Sequence, residues 1–388
     1  MARKLLAVLL VLTASWAARA ETYLVDPLGT GDFPTIQTAV DAAVTGDTIY
    51  LADGTFRGEG NYDVLCMGKA IEVRSLSDDP SACTVDCEGT ASINRRGFEF
   101  RQIVSPGAVL RGITVTNGHG DMGGGAVCCW DNTAVAFSNC VFSNSRDESG
   151  SAGGGFGGGG VVSGGGITFT DCRFEGNSAT GGGAFAASGE GIVTFERCTF
   201  VDNAGSGDGG ACYLDSMIEV HFSECLFLGN QSQYGGALFC WASAAVFLDR
   251  CTFVRNTATS YGSSFCSYLG GVAVIDNSIL AFGEGGSAVY CGDPDCAQLS
   301  CCDVYGNAGG DWVDGIEGLE GIDGNMSMDP LFCGSSQGDY ALHSDSPCAA
   351  DNNPECGQIG ALGIGCAGSP IEDRTWGGLK ALFRALTR

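Results

Sequence analysis

The stretch Val193-Thr194-Phe195-Glu196-Arg197-Cys198-Thr199-Phe200-Val201-Asp202-Asn203 holds the repeating unit of this chain. Val193 and Phe195 are separated by one residue, the period of a strand, so they share a face. Glu196 and Arg197 break the phase at a corner, and Cys198 and Phe200 resume it. The same order returns from Ile167 to Asn177, from Val220 to Asn230 and from Val246 to Asn256. One slot holds Cys172, Cys198, Cys225 and Cys251, a second Phe174, Phe200, Phe227 and Phe253, and a third Asn177, Asn203, Asn230 and Asn256. Val135 to Asn144 opens the series with Cys140 and Phe142, its asparagine one residue early. Ile113, Val115 and Asn117 fit the slots before it. Asn277 with Ile279, and Cys302 with Val304 and Asn307, continue it.

The anchors 113, 140, 172, 198, 225, 251, 277 and 302 are spaced by 27, 32, 26, 27, 26, 26 and 25 residues. That period is too short for paired-helix repeats and too strand-rich for leucine-rich horseshoes. It predicts an all-β fold, a single-stranded right-handed parallel β-helix with three short strands per coil. Eight or nine coils, each rising ~4.8 Å, would make a rod of roughly 40 Å. Columns of valine, phenylalanine and cysteine then stack inward as a continuous core. Cysteine acts here as a small buried hydrophobe, with reduced thiols expected in Cys172, Cys198, Cys225 and Cys251. The asparagine suits a corner where amides bridge adjacent coils.

A second set of columns follows each glycine pair, at Gly182-Gly183-Ala184, Gly209-Gly210-Ala211 and Gly235-Gly236-Ala237. Cys212, Leu214, Leu238 and Cys240 are expected inward. The opposite face would carry an outward aromatic ladder of Tyr213, Phe239, Phe265 and Tyr290, with Trp241 beside Phe239. Aromatic faces stack on sugar rings and anchor protein contacts, so these five residues are the candidate binding site. The opposite phase, with the rings stacked inside, is the competing reading.

Before the repeat, Arg3 and Lys4, an apolar run from Leu5 to Trp16 and Ala18-Arg19-Ala20 have the pattern of a secretory signal peptide over residues 1–20. The run is too short to span a bilayer, and no later stretch is a transmembrane candidate. The formal net charge of −26 would repel phosphates, so a nucleic-acid partner is not expected. Residues 21–325 form the β-helix with its N-terminal cap. There Ile36, Ala39, Val40 and Ala43 fall on one side of a short amphipathic helix that would cover the open end. Residues 326–368 form a cysteine-containing C-terminal cap. Residues 369–388 form a basic amphipathic tail, with Arg374, Lys380, Arg384 and Arg388 among Trp376, Leu379, Phe383 and Leu386. The tail suits a sorting tag, a membrane-surface contact or a frayed end.

The cysteine count is 21, so at least one thiol lacks a partner within the chain. Cys333, Cys348, Cys356 and Cys366 lie outside the repeat and are the disulfide candidates, with three pairings open. Cys291, Cys296, Cys301 and Cys302 cluster near an Asp-Pro-Asp loop, where a further bridge is expected ahead of a zinc site. Calcium is the one cofactor the acidity would admit, with Asp293, Asp295, Asp311 and Asp314 as nearby carboxylates. Their spacing matches no metal loop.

Phe174-Glu175-Gly176-Asn177, Phe200-Val201-Asp202-Asn203, Phe227-Leu228-Gly229-Asn230 and Phe253-Val254-Arg255-Asn256, interleaved with Gly-Gly-Ala, resemble the Phe-x-x-Asn and Gly-Gly-Ala repeats of the chlamydial polymorphic outer-membrane protein family. The resemblance covers residues 120–310 and implies a pectin-lyase-like β-helix at a bacterial cell surface, often adhesive. The sequence departs from that family in having no β-barrel translocator. Val25-Asp26-Pro27 through Gly54-Thr55-Phe56 resembles the opening of pectin-lyase-like proteins. Asp329-Pro330-Leu331-Phe332-Cys333 through Ile359-Gly360-Ala361 resembles the closing segment of secreted bacterial β-helix proteins.

Enzymes of the pectin-lyase-like fold imply specific motifs, and those are sparse here. Gly118-His119-Gly120 matches one polygalacturonase motif without its companions and reads as chance. Asp78-Asp79 lies in an early loop. His221 and His343 are isolated, and Arg197 and Arg250 share a corner two coils apart. The expected function is therefore a secreted or cell-surface protein, extracellular, periplasmic or outer-membrane associated. It would be adhesive or structural, with glycan or protein ligands and no assigned catalytic residue. The alternative is a carbohydrate-active lyase or hydrolase of the same fold, with a site near the long coil Ser149 to Gly166.

Overall fold

The computed structural model describes residues 19–104, 107–120, 123–130, 133–147, 160–163 and 166–367. The expected signal peptide up to residue 18, the basic tail and most of the long glycine-rich coil lie outside them. The chain is an all-β, right-handed parallel solenoid. Among the described residues, sheet 1 has eleven strands, from Thr22–Val25 to Ala297–Ser300, and sheet 2 has ten, from Gly54–Phe56 to Asp303–Tyr305. Sheet 3 has seven strands of two to five residues, from His119–Gly120 to Glu284–Gly285, and sheet 4 has nine, from Val64–Met67 to Val289–Cys291. From Ala108–Arg111 onward each complete coil visits sheets 1, 2, 3 and 4 in turn, whereas the coils before it have strands in sheets 1, 2 and 4. The solenoid is thus longer than the repeat alone suggested, because coils before Ile113 carry the fold without its sequence signature. Sheet 3 adds a short fourth ladder to the three expected.

Register places the repeat slots on top of one another. Val193 pairs with Ile167 and Val220, and Phe200 with Phe174 and Phe227. The rings follow the strand spacing of about 4.8 Å. Phe169–Phe195 and Phe195–Phe222 centroids are 4.7 and 4.8 Å apart, and Phe174–Phe200 and Phe200–Phe227 are 4.8 and 4.7 Å apart. The two stacks meet edge to face, as in Phe195–Phe200 at 5.4 Å.

The corner between sheets 1 and 2 is a left-handed residue in every repeat: Asp171, Arg197, Glu224 and Arg250 have φ of 49° to 54°. This is the phase break read at Glu196 and Arg197. The thiols that follow, Cys172, Cys198, Cys225 and Cys251, are buried and free. Burial pushes the Cys172 and Cys225 thiols well above their usual range, so they stay protonated. At the next corner the asparagines form a ladder inside the wall. Asn203 Nδ2 donates to Asn230 Oδ1 at 2.9 Å and to the Phe174 carbonyl at 3.0 Å.

The helix Ile36–Ala42 closes the N-terminal end. Thr35 caps it, and Ile36, Ala39 and Val40 are buried against the first coils, as the sequence implied. Ile316, with Trp312 and Leu319, packs on the core at the other end. The cysteine-containing segment that follows lies along the outside of the last coils. Leu342, Cys348 and Ile359 pack against Ile279 and Ala281 of sheet 2. Ala361 N donates to Thr252 Oγ1 at 2.9 Å.

The disulfides correct the expectation. Cys333 pairs with Cys366 inside this segment, and Cys301 pairs with Cys356 to tie the segment to the last coil. Cys291 and Cys296 form a local bridge. Cys348 is not bridged. It is buried on sheet 2 and donates its thiol to Asp303 Oδ2 at 3.3 Å, so its neighbour is a carboxylate and no second sulfur faces it. Cys302 follows the corner residue Cys301 into the core and stays a free thiol.

Candidate functional site: an aromatic wall and a polar cavity

The glycine pair in each coil sets up the first site. Gly209 has φ +66°, and a Cβ there would come within 2.1 Å of the Cys212 carbonyl oxygen. Only glycine allows so tight a corner. The corner folds the end of sheet 3 against the outer face of sheet 4. Asp208, Tyr234 and Tyr261 pair in register at the ends of the sheet 3 strands, immediately before the corner. On sheet 4 the outward register is Tyr213, Phe239, Cys266, Tyr290. Trp241 pairs with Tyr268 two positions further along.

These two edges bring seven rings together. Tyr213–Phe239 are 5.8 Å apart, Phe239–Trp241 5.9 Å and Trp241–Tyr268 6.2 Å. Tyr234–Tyr261 are 5.9 Å apart, Tyr261–Tyr290 4.3 Å and Tyr268–Tyr290 5.5 Å. Phe239 is the floor, only 2% exposed because its neighbours cover it, while Tyr261 on the rim is 42% exposed. Gly292 leaves room for Tyr268, whose ring carbon would lie 2.4 Å from a Cβ there. Burial, then the hydrogen bond with Tyr290, pushes the Tyr268 phenol upward, and burial does the same to Tyr213. Both stay neutral and able to donate. Burial also raises the Asp208 carboxyl.

Four of the five expected ladder residues are in this wall: Tyr213, Phe239, Trp241 and Tyr290. Phe265 is not. It pairs with Leu238 and Val289 and is fully buried in the core. The error is one residue of register. Phe265 lies nine positions after its repeat asparagine, whereas Leu238 lies eight after Asn230, because the sheet 3 strand Thr257–Tyr261 is one residue longer than Gln231–Tyr234. Sequence reasoning also missed Tyr234, Tyr261 and Tyr268. The first two stand directly before the glycine corners, a signal that was available. Tyr268 is placed relative to Phe265 as Trp241 is to Leu238.

The second site is a cavity of about 550 Å³ near the N-terminal coils, lined by Arg57, Asp86, Glu88, Asn117, His119, Asn144 and Arg146. Arg57 bonds Asp86 through Nε at 3.0 Å and Nη2 at 2.8 Å, and Asn117 Nδ2 donates to the same carboxylate at 2.9 Å. Burial opposes ionisation of Asp86, but the Asn117 and Arg57 hydrogen bonds hold it below the usual carboxylate range. His119 is almost buried, in register with Arg146 on sheet 3. The Gly118-His119-Gly120 match thus falls in a polar cavity, although the residues around it are not the companions of that motif.

The other singled-out residues have local roles. Asp78 pairs with Arg111, and Asp79 accepts from Ser81 in a turn. Arg197 pairs with Asp171 and Glu196, and Arg250 with Glu224 and Asp249. His221 bonds Glu219 at 2.6 Å and stacks on Phe247. His343 Nδ1 accepts from the Asp345 N–H. Asp311 holds the Asn307 turn and Asp293 accepts from the Gly270 N–H. Among the described residues, no three His, Cys, Asp or Glu side chains converge as a metal site. No helix among them is long and apolar enough to cross a membrane.

Residues 66–253 match the family model described as right handed beta helix region. No curated protein sequence matches the chain. Among solved structures, pectate lyase Pel9A is similar at 14% identity over 89% of this chain and 96% of that one, with a TM-score of 0.50. A rhamnogalacturonan lyase is similar at 14% identity over 92% and 99%, with a TM-score of 0.39. The pectin methylesterase of Aspergillus niger follows at 13% identity over 79% and 90%, with a TM-score of 0.35. The pectate lyase likeness establishes a shared pectin-lyase-like fold.

Proposed function

We propose that this chain is a secreted or cell-surface β-helix protein that binds glycan on its aromatic wall without transforming it. The observation that carries this reading is the cluster of seven rings on the outside of the solenoid, where the fold itself needs none. Tyrosine and tryptophan offer flat apolar faces with polar edges, the combination that sugar rings match. The core keeps its own phenylalanine stacks, and the wall is a separate set of rings. The fold shared with a pectate lyase is compatible with a glycan partner.

A carbohydrate-active enzyme is the second reading. The polar cavity favours it, since Arg57, Asp86 and His119 line one space with an ionised carboxylate and a nearby cation. The test is a panel of neutral and acidic polysaccharides, scored for retained protein and for new chain ends. Retention without new ends supports the binding reading. New ends that disappear in Arg57→Ala or His119→Ala would replace it with the enzymatic one.

A further inference from the structure

The charge around the wall says more about its ligand. Between Cys198 and Ser300 the only cationic side chains other than histidine are Arg250 and Arg255. Arg250 is held by Glu224 and Asp249 at the corner of sheets 1 and 2, and Arg255 is an exposed corner residue between sheets 2 and 3. No lysine or arginine follows Arg255 until Arg374. The wall itself is edged by carboxylates. Asp208 stands in register with Tyr234, close enough to act on the Tyr213 phenol, and Asp215 acts on that phenol too. Asp293 lies beyond Gly292, which packs under Tyr268. Aromatic faces also present negative charge to whatever lies on them, so rings and carboxylates attract a cation together.

We propose that the aromatic wall selects a cationic glycan, an amino-sugar oligomer whose ring stacks on Tyr261, Tyr268 and Trp241 while its ammonium group meets Asp208. This rests on the glycan-binding reading and narrows it. Asp208 is the specific contact because its carboxylate is partly desolvated beside the rings and its side chain has no hydrogen-bond partner of its own among the described residues. A charge-assisted hydrogen bond there contributes about 1.5–3 kcal/mol, roughly ten- to a hundredfold in affinity. The same charges disfavour a polyuronate.

The test uses three probes of equal length: a glucosamine oligomer, its N-acetylated counterpart and an oligogalacturonate. Calorimetry is run below neutral pH, where the free amines are protonated, at near-physiological salt. The glucosamine oligomer should bind about tenfold or more tighter than the acetylated one, with the galacturonate weakest. Asp208→Asn should lower the glucosamine oligomer to the affinity of the acetylated one, with an unchanged circular dichroism spectrum and melting temperature as the check that the variant is folded. Asp351→Asn, which removes an exposed carboxylate on the C-terminal segment, should change neither.

Equal binding of the two amino-sugar probes would overturn the charge selection. So would an equal loss in Asp208→Asn and Asp351→Asn, which would reduce the effect to general attraction by an acidic chain. In either case, a Tyr261→Ala variant that still loses the acetylated oligomer keeps the aromatic reading standing. If no probe binds, the cationic selection falls, while the glycan-binding reading stands or falls on whether Tyr261→Ala loses the polysaccharide retained in the panel.

Discussion

Asn203 connects three coils through one side chain. Its Nδ2 donates to the Phe174 carbonyl and to Asn230 Oδ1, while its Oδ1 accepts from the Asn177 N–H and from Asn177 Nδ2 at 3.1 Å each. It is fully buried, so removing the amide leaves orphaned polar groups on both sides. Asn203→Ala should cost roughly 2–4 kcal/mol in urea unfolding, more than an ordinary buried polar residue, because the ladder is a chain of coupled bonds. A loss within about 0.5 kcal/mol would mean that water replaces the amide. The thiol column gives a second check at this scale. Fifteen cysteines are free and all are buried. Alkylation under native conditions should add nothing by mass spectrometry, and alkylation after denaturation should add one label to each of the fifteen. Native labelling of Cys198 or Cys225 would contradict the packing.

The elements show where sequence reading works and where it stops. The columns Phe174, Phe200, Phe227 and Phe253 were legible because every coil repeats the same spacing from corner to corner through sheets 1 and 2. The step from asparagine to sheet 4 varies by one residue, since sheet 3 strands contain irregular register shifts. A slip of one reverses every side chain in a strand. Phe265 was misplaced for that reason, and its neighbour Tyr268 was missed with it. The polar cavity was illegible because it assembles Arg57, Asp86 and His119 from different coils, and no local motif announces it. Cys348 was misread because spacing cannot tell a bridge from a buried thiol.

The C-terminal segment adds a pH-dependent element. It rests on Asp303 of sheet 2, which accepts from Met328 N at 2.9 Å and from the Cys348 thiol. Burial first, with Asp311 and Asp329 nearby, pushes the Asp303 carboxyl up to about 7, although the two hydrogen bonds oppose this. Below the unfolded value of ~3.9 both states hold the proton. Between there and about 7 the unfolded chain has lost the proton while the native one keeps it. Stability therefore falls as pH rises through that window and levels off above it. Asp303→Asn should flatten this dependence and stabilise the protein by roughly 2–4 kcal/mol at mildly alkaline pH. Identical pH profiles for the two proteins would show that Asp303 does not hold its proton.

On the scale of the whole molecule, the solenoid separates its cationic and its aromatic surfaces along its length. The cations gather in the early coils, where Arg57, Arg74, Arg95, Arg96, Arg101, Arg111 and Arg146 lie, and the aromatic wall occupies later coils that are strongly acidic. A rigid rod of about 50 Å, with coils held by sheets, glycine corners and an asparagine ladder, presents the wall as a preorganised surface, which lowers the ordering cost of binding. The central claim is that this surface recognises glycan. The most direct measurement is the affinity of the native chain for whichever polysaccharide retains it, compared with Trp241→Ala, Tyr261→Ala and the control Phe247→Ala, an exposed ring on sheet 1. The account predicts about a tenfold loss or more for each wall variant and no change for the control. Unchanged affinity in both wall variants, or an equal loss in Phe247→Ala, would contradict it.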